Sequence, residues 1–335
     1  MNRKVVLRKR PAGVAQASDF EILEVDLEPL QSGEVRLANR FLSVDPAMRG
    51  WIADKNNYSP PVAIGEVMRS LAVGDVIESK SDEWQIGDTL LGWFGWQEFA
   101  VASRDTILTR FDSTSLSPSL ALGILGINGV TALLALTKIG DPTPGDTLVV
   151  STAAGAVGSA VGQIGKLLGC RTVGITGSSK KVELCRAQFG YDHAFDYKTS
   201  DISAEIRGFC PDGVDIYFDN TAGAISDAVF PHLAIGSRIV CCGTAAIDRW
   251  DPWPTGPRIE RYLLTRRARM QGFVVFDHMD EWQEAIDALE KWIRDGRISF
   301  VEDVLEGIHS CPDAIAGLYR GENNGKRIIR LNPNP

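Results

Sequence analysis

Ala153, Gly155 and Gly158 stand at the spacing of the dinucleotide fingerprint G-x-G-x-x-G, with alanine in place of its first glycine. The apolar run Leu148-Val149-Val150 before them reads as a buried strand. From Ala156 through Val161 and Ile164 to Leu168 the chain reads as a helix, which Gly169 ends. Small side chains at such a junction let a pyrophosphate approach the backbone at Gly155. The helix, opening on Ala156 and Val157, offers N–H groups and a positive dipole end, and Gly158 lets helix and strand pack closely. An altered fingerprint also suits a tight strand-to-helix turn with no ligand. A second strand, Arg171 to Thr176, follows at the distance of a βαβ unit and favours the dinucleotide.

The turn after that strand separates the two nicotinamide cofactors. An NAD site places an acidic residue there to bind both ribose hydroxyls. Here the chain reads Gly177-Ser178-Ser179-Lys180-Lys181, without an acid. Hydroxyls and ammonium groups there suit a ribose 2′-phosphate held by charge-assisted hydrogen bonds, hence NADP(H). The plainer alternative is an N-cap serine opening a solvated helix. Zinc would require three Cys, His or carboxylate ligands and an open position. The histidines (His193, His232, His278, His309) and all six cysteines lie beyond residue 169, and no C-x-x-C pair occurs. No metal is expected, and no G-x-S-x-G elbow points to a serine nucleophile. The cofactor must therefore carry the chemistry.

The elements that position this turn fit two domains, the natural prior for 335 residues. Up to about residue 120 the chain is β-rich, with strand-like runs at Val5 to Leu7, Phe20 to Val25, Glu34 to Leu42, Gly74 to Ser79 and Phe99 to Ala102. Strand and helix then alternate, as in a doubly wound parallel sheet. Strands are expected at Val214 to Asp219, Arg238 to Cys242 and Met270 to Val275. Helices are expected at Lys180 to Phe189, Ser226 to Leu233 and Asp280 to Arg294, and Lys326 to Leu331 reads as a closing strand. The apolar stretch Leu120 to Leu136 is too short and glycine-rich for a membrane span and reads as one buried helix. A net charge of −8 argues against nucleic acid or an anionic membrane as partner. No secretory signal is read at the N-terminus, and cysteines without a disulfide framework suit the reducing cytoplasm.

Longer motifs carry a resemblance. Phe41-Leu-Ser-Val-Asp-Pro-Ala-Met-Arg49, Pro61-Val-Ala-Ile-Gly-Glu-Val-Met68, Gly95-Trp-Gln-Glu-Phe99, the Ala-Ala-Gly-Ala-Val-Gly-Ser turn, Asp219-Asn220 and Gly321-Glu-Asn-Asn-Gly-Lys326 resemble the zinc-independent medium-chain dehydrogenase/reductases. The nearest branch is that of the alkenal double-bond reductases. The resemblance implies an α/β chain: a GroES-like catalytic domain over 1–120, completed by 301–335, and a Rossmann NADP-binding domain over 121–300, usually in a homodimer. Zinc relatives place Cys and Gly-His-Glu where this chain has Asp45 and Ile64-Gly65-Glu66.

Position by position, the resemblance implies Gly155, Ala156, Val157 and Gly158 at the pyrophosphate and Lys181 and Tyr197 at the 2′-phosphate. Asn220, Cys242, Gly243 and Thr244 would lie along the ribose and nicotinamide, with Phe273, Val274, Val275 and Asn323 completing the nicotinamide pocket. Ser178, Lys181 and Tyr197 are expected to converge on one phosphate with no acid beside them. Two family tyrosines that face substrate are replaced, by Ala47 and Thr265. The expected substrate contacts are Ala47, Met48, Arg49 and Thr265, together with Trp253 and Arg258 from a segment, Ile247 to Arg261, that also holds Trp250. That segment is too aromatic for a mere connector. It is expected either to cover a bulky apolar enone beside Met48 or to make a dimer contact. Tyr262, one helical turn from Thr265, and Tyr58 are the candidate proton donors, each with an alternative as a rim aromatic. The implied activity is NADPH-dependent reduction of the C=C bond of α,β-unsaturated ketones or aldehydes. A quinone reductase and a non-catalytic NADPH-binding protein of the crystallin kind stay open beside it.

Overall fold

The structure, a computed structural model, describes residues 1–54, 58–111, 116–247 and 252–332. The chain divides into two units, Met1–Gly123 with Glu302–Pro335, and Ile124–Val301.

In the first unit, β1 (Asn2–Leu7) pairs antiparallel with β2 (Phe20–Val25). The nine-residue β3 (Val35–Ser43) is buried along most of its length, which suits a strand with partners on both sides. It pairs antiparallel with β4 (Ala72–Ser79), and β5 (Thr89–Gly92) follows β4 in the sheet. β6 (Phe99–Ala102) also lies on β3, and β7 (Ile107–Arg110) closes one edge against β5. β5 and β7 are four residues each, too short to show an alternation in the sequence. A single helical turn, α1 (Met48–Trp51), follows β3.

The expectation of one buried helix over Leu120 to Leu136 is corrected. A short 3₁₀ turn at Pro118–Leu122 is followed by a break, then by α2 (Ile127–Ala135) and a π turn at Leu136–Gly140. Gly123 (φ −130°, ψ −108°) and Gly126 (φ −154°, ψ −146°) take backbone conformations no helix contains, and the boundary between the units falls inside this break.

The second unit is a six-stranded, all-parallel sheet. In chain order its strands are β8 (Thr147–Ser151), β9 (Arg171–Thr176), β10 (His193–Asp196), β11 (Val214–Asp219), β12 (Leu233–Cys241) and β13 (Arg269–Gly272). Their spatial order is β10-β9-β8-β11-β12-β13, the 3-2-1-4-5-6 order of a doubly wound dinucleotide fold. Connecting helices are α3 (Ala156–Leu167), α4 (Ser179–Ala187), α5 (Ile202–Phe209), α6 (Gly223–Val229) and α7 (Glu260–Arg266), and α8 (Trp282–Arg294) follows β13. Several expected boundaries move, and the strand expected at Arg238 to Cys242 begins at Leu233. The helix expected at Ser226 to Leu233 starts at Gly223 and ends before Pro231, and the strand expected at Met270 to Val275 ends at Gly272.

The chain then returns to the first unit. β14 (Glu302–Glu306) pairs parallel with β15 (Lys326–Arg330), β15 pairs antiparallel with β3, and α9 (Cys311–Tyr319) connects the two. Among the described residues no helix is long and apolar enough to cross a membrane.

Candidate cofactor and substrate site

The turn after β8 is built on steric necessity. Thr152 takes a positive φ of 54°, unusual for a β-branched residue, and its carbonyl accepts from Gly155 N–H at 2.9 Å. A Cβ at Gly158 would stand 2.2 Å from that carbonyl oxygen, so only glycine fits where helix crosses strand. Gly155 caps α3, and Ser159 is the first residue whose N–H reaches back, to the Gly155 carbonyl at 2.9 Å. The N–H groups of Ala156, Val157 and Gly158 precede any intrahelical acceptor and face out of the helix start, which fits a pyrophosphate. The alanine at the fingerprint's first position is buried, and Gly174 on β9 leaves room for its methyl.

The strand order reverses between β8 and β11, where doubly wound sheets bind their ligands. There the buried Asp219 carboxylate accepts from Ser226 Oγ at 2.6 Å, the N–H groups of Thr221 and Ala222 at 2.9 Å each, Tyr217 OH at 3.2 Å and Ser151 Oγ at 3.3 Å. Burial beside this carboxylate pushes the Tyr217 phenol well above its usual range. Asn220 is fixed in turn: its N–H donates to Ser151 Oγ at 2.8 Å and its amide nitrogen to the Ser151 carbonyl at 2.7 Å. The turn after β12 hangs on the same point, because Cys242 and Gly243 N–H both donate to the Asp219 carbonyl, at 2.9 and 3.1 Å. A Cβ at Gly243 would lie 2.8 Å from the Asn220 carbonyl oxygen. Asn220, Cys242, Gly243 and Thr244 are thus brought together. Burial, then Asp219, pushes the Cys242 thiol up to about 12, so it stays protonated at neutral pH. Beyond β13, Phe273 N–H donates to the Cys241 carbonyl at 3.1 Å, and the Phe273 ring stacks on His278 with centroids 5.0 Å apart. Phe273 and Val275 are buried, and Val274 is half-buried.

At the next turn Ser178 caps α4, its hydroxyl accepting from Lys181 N–H at 3.3 Å. The N-cap role leaves the hydroxyl a proton to donate to a phosphate. The Tyr197 ring lies over Gly177, whose Cβ would stand 3.0 Å from Tyr197 Cε1 and 3.5 Å from the phenol oxygen. Ser178, Lys181 and Tyr197 therefore share one corner. Lys198, not singled out in the sequence, joins them with Nζ 6.0 Å above the Tyr197 ring. The expectation of no neighbouring acid is corrected. Asp196 pairs with Thr176 across the sheet, and its carboxylate is turned onto Lys198 N–H at 3.0 Å.

In the first unit, Asp45 is buried and meets an ammonium. Lys326 Nζ lies 2.5 Å from Asp45 Oδ1, 2.7 Å from Ser43 Oγ and 3.0 Å from the Val44 carbonyl. Ser43 Oγ also donates to Asp45 Oδ2. Ala47 and Arg49 are half-buried, but Met48 is wholly buried in the unit's core. Met48, expected among the substrate contacts, packs in that core. Tyr58 is half-exposed, its hydroxyl accepting from Trp51 Nε1 at 3.2 Å, and Trp51 packs edge-on against Trp93 at 5.6 Å. Asn323 is half-buried, its amide donating to the Gly325 carbonyl at 2.9 Å.

Tyr262 and Thr265 both lie on α7, but they differ in environment. The Tyr262 ring packs toward Phe230 at 6.4 Å beside the unit's core, whereas Thr265 is exposed and donates to the Arg261 carbonyl at 2.8 Å. Tyr262 thus has a packing role there. Trp253 is 74% exposed, Arg258 pairs with Glu260, and Trp250 lies outside the described residues.

A 3-2-1-4-5-6 sheet with this turn at its switch point, preceded by a β-rich unit, defines a two-domain nicotinamide-dependent oxidoreductase. Residues 3–109 match the family described as the N-terminal domain of oxidoreductase, and residues 156–291 that described as zinc-binding dehydrogenase. The chain is 38% identical to the NADPH-dependent curcumin reductase of Escherichia coli, over 98% of this chain and 97% of that one. It is 36% identical to the NADP⁺-dependent 2-alkenal reductase of Nicotiana tabacum, again over 98% and 97%. The crystal structure of CurA from Vibrio vulnificus in complex with NADPH superposes with a TM-score of 0.94 at 38% identity, covering 99% of this chain and 100% of that one. The chain therefore belongs to the zinc-independent medium-chain dehydrogenase/reductases, in their alkenal double-bond reductase branch.

Proposed function

We propose that this chain is an NADPH-dependent reductase of the carbon–carbon double bond of α,β-unsaturated ketones and aldehydes. The observation that carries the reading is the cationic, hydroxyl-bearing corner of Ser178, Lys181 and Tyr197 beside the small-residue turn at the switch point. Curcumin reductase and 2-alkenal reductase among its relatives support the substrate class. Bound NADPH would supply a hydride to the substrate β-carbon and leave as NADP⁺, and the α-carbon would take a proton to complete the saturated product.

The chain's own residues bind, orient and donate. Gly155 to Gly158 hold the pyrophosphate on the start of α3, and Ser178, Lys181 and Tyr197 hold the 2′-phosphate. Asn220, the Cys242-Gly243-Thr244 turn and Phe273 to Val275 take the ribose and nicotinamide, and in the first unit Asn323 keeps the nicotinamide role that the resemblance implies. Negative charge developing on the substrate oxygen calls for a hydrogen-bond donor. Tyr58 takes this role in our reading, since Trp51 places the phenol oxygen through a bond in which that oxygen is the acceptor. Tyr262 is the second candidate. We carry Ala47 and Arg49 of the first unit, and Trp253, Arg258 and Thr265 of the second, as substrate residues, and the absence of tyrosine at positions 47 and 265 suits a large aryl enone. The first unit is the catalytic domain and the second the NADP domain. We also read the protein as a cytoplasmic homodimer: its six cysteines are free thiols, and the exposed edge strand β13 offers a pairing surface to a second copy.

Incubation of the pure protein with NADPH against enones, quinones and saturated alcohols tests the reading. Cofactor oxidation with enones, accompanied by loss of the C=C bond, is expected. Turnover of quinones alone would make it a quinone reductase, and no turnover with any acceptor would leave a cofactor-binding protein. Tyr58→Phe should lower kcat by about 10²- to 10³-fold, the usual worth of one donor to a developing oxyanion.

A further inference from the structure

Two segments of the first unit carry residues assigned above to the reacting centre: the loop 321–325 with Asn323, and the turn 43–49 with Ala47 and Arg49. Beside the Val44 N–H bond to the Arg327 carbonyl at 3.3 Å, they are tied by one buried side chain. Lys326 Nζ places all three of its protons on the second segment, at Ser43 Oγ (2.7 Å), the Val44 carbonyl (3.0 Å) and Asp45 Oδ1 (2.5 Å). Both Asp45 oxygens are engaged, since Ser43 Oγ donates to the other. The backbone passes this tie directly into α1, as Met48 N–H donates to the Asp45 carbonyl at 3.1 Å. On the opposite side of β15 the next residue, Arg327, holds the other flank of the loop. Its buried guanidinium donates to Asp303 Oδ2 at 2.6 Å and the Ala314 carbonyl at 3.3 Å and lies 3.6 Å from Glu322. Gly317 on α9 makes room for it: a Cβ there would stand 2.0 Å from Arg327 Nη1.

We propose that Lys326 is a positioning residue for the reduction, fixing the nicotinamide-side loop at Asn323 against the substrate-side turn at Ala47–Arg49. A burial this complete is a costly way merely to hold two strands, because an apolar pair of the same volume would pack at least as well. The backbone pairing of β15 with β3 ends at Ile328 opposite Ser43, and what the ion pair adds is a side-chain tie beyond that end, onto Ser43, Val44 and Asp45. Burial pulls the Lys326 ammonium below its usual range while Asp45 opposes that shift. The inference rests on the reductase reading above.

The test is the double variant Asp45→Asn/Lys326→Met, which removes both charges together and so avoids stranding one. We expect a folded protein whose NADPH dissociation constant, read by fluorescence titration, changes less than about threefold, because the phosphates stay held by the other unit. Its kcat should fall about 10- to 100-fold, the scale of a misplacement near 1 Å. The isotope effect with NADPH deuterated at the transferred position should rise as hydride transfer becomes rate-limiting. Ser43→Ala, which leaves both charges in place, should show the same pattern at roughly two- to tenfold in kcat, an extrapolation to one lost tie of three. A lower melting temperature with kcat and isotope effect at parental values, in whichever variant folds, would overturn the proposal. If the parent oxidises no NADPH with any enone, the reductase reading fails instead, and the two failures are distinct.

Discussion

The methyl of Ala153 fills the space that a side chain at Gly174 would need: a Cβ built on Gly174 would lie 2.8 Å from Ala153 Cβ and 3.3 Å from the Tyr191 ring. The fingerprint's missing first glycine is thus answered by a glycine on the neighbouring strand. Gly174→Ala should destabilise the second unit by about 1 to 3 kcal/mol through overpacking. Ala153→Gly in the same chain should recover part of it, because one of the two clashing groups is gone. Denaturant unfolding of the four proteins of this cycle measures the coupling; strictly additive effects would show that the two sites do not share the space.

The 2′-phosphate corner predicts a selective loss. A hydrogen bond to a charged group contributes roughly 1.5 to 3 kcal/mol. Lys181→Ala should therefore weaken NADPH binding by about ten- to a hundredfold, at 1.4 kcal/mol per decade. NADH, which lacks the phosphate, should bind variant and parent alike. Titrating both cofactors into both proteins decides the matter, and equal weakening would move Lys181 to the pyrophosphate or the fold.

Ala222 sits at φ 57°, ψ −164°, a region that in practice belongs to glycine, held there by its N–H bond to Asp219 at 2.9 Å. Ala222→Gly relieves strain of about 1 to 3 kcal/mol and gives back about 0.4 to 1 kcal/mol of unfolded-chain entropy. A net gain near 1 kcal/mol should raise the melting temperature of the second unit by about 2 to 4 °C. Calorimetry reads it directly.

Acid stability should depend on Asp146. Burial pushes its carboxyl up, but the Thr143 N–H at 3.0 Å and the Arg238 guanidinium outweigh that and hold it below the ordinary carboxylate range. A depressed folded-state pKa contributes stability above the unfolded value, about 3.9, and loses it as pH falls through the folded one. Asp146→Asn should thus cost about 1.5 to 3 kcal/mol at pH 7. The gap should close as pH drops from about 5 toward 2. Unfolding curves of both proteins across that range provide the check, and a gap independent of pH would assign the effect to packing.

The sequence determined the parts of this protein whose physics is local. β8, its small-residue turn and α3 were readable because an apolar run, glycine spacing and a helical period all lie within about twenty consecutive residues, and the NADP preference because one turn lacks an acid. The family resemblance extended this to both units. Tertiary structure decided what depends on contacts across the chain. Asp45 and Lys326 are 281 positions apart, and nothing near either one announces the other. Whether Asp219 is a buried hub or a surface acid depends on Ser151, Tyr217 and Ser226 arriving from three elements. Met48, expected at substrate, is drawn into the core because α1 is one turn long and its inner side is set by the sheet beneath it. The apolar run Leu120 to Leu136 has helical composition throughout, yet it breaks at Gly123 and Gly126, where the two units divide and glycine permits backbone conformations that no helix contains.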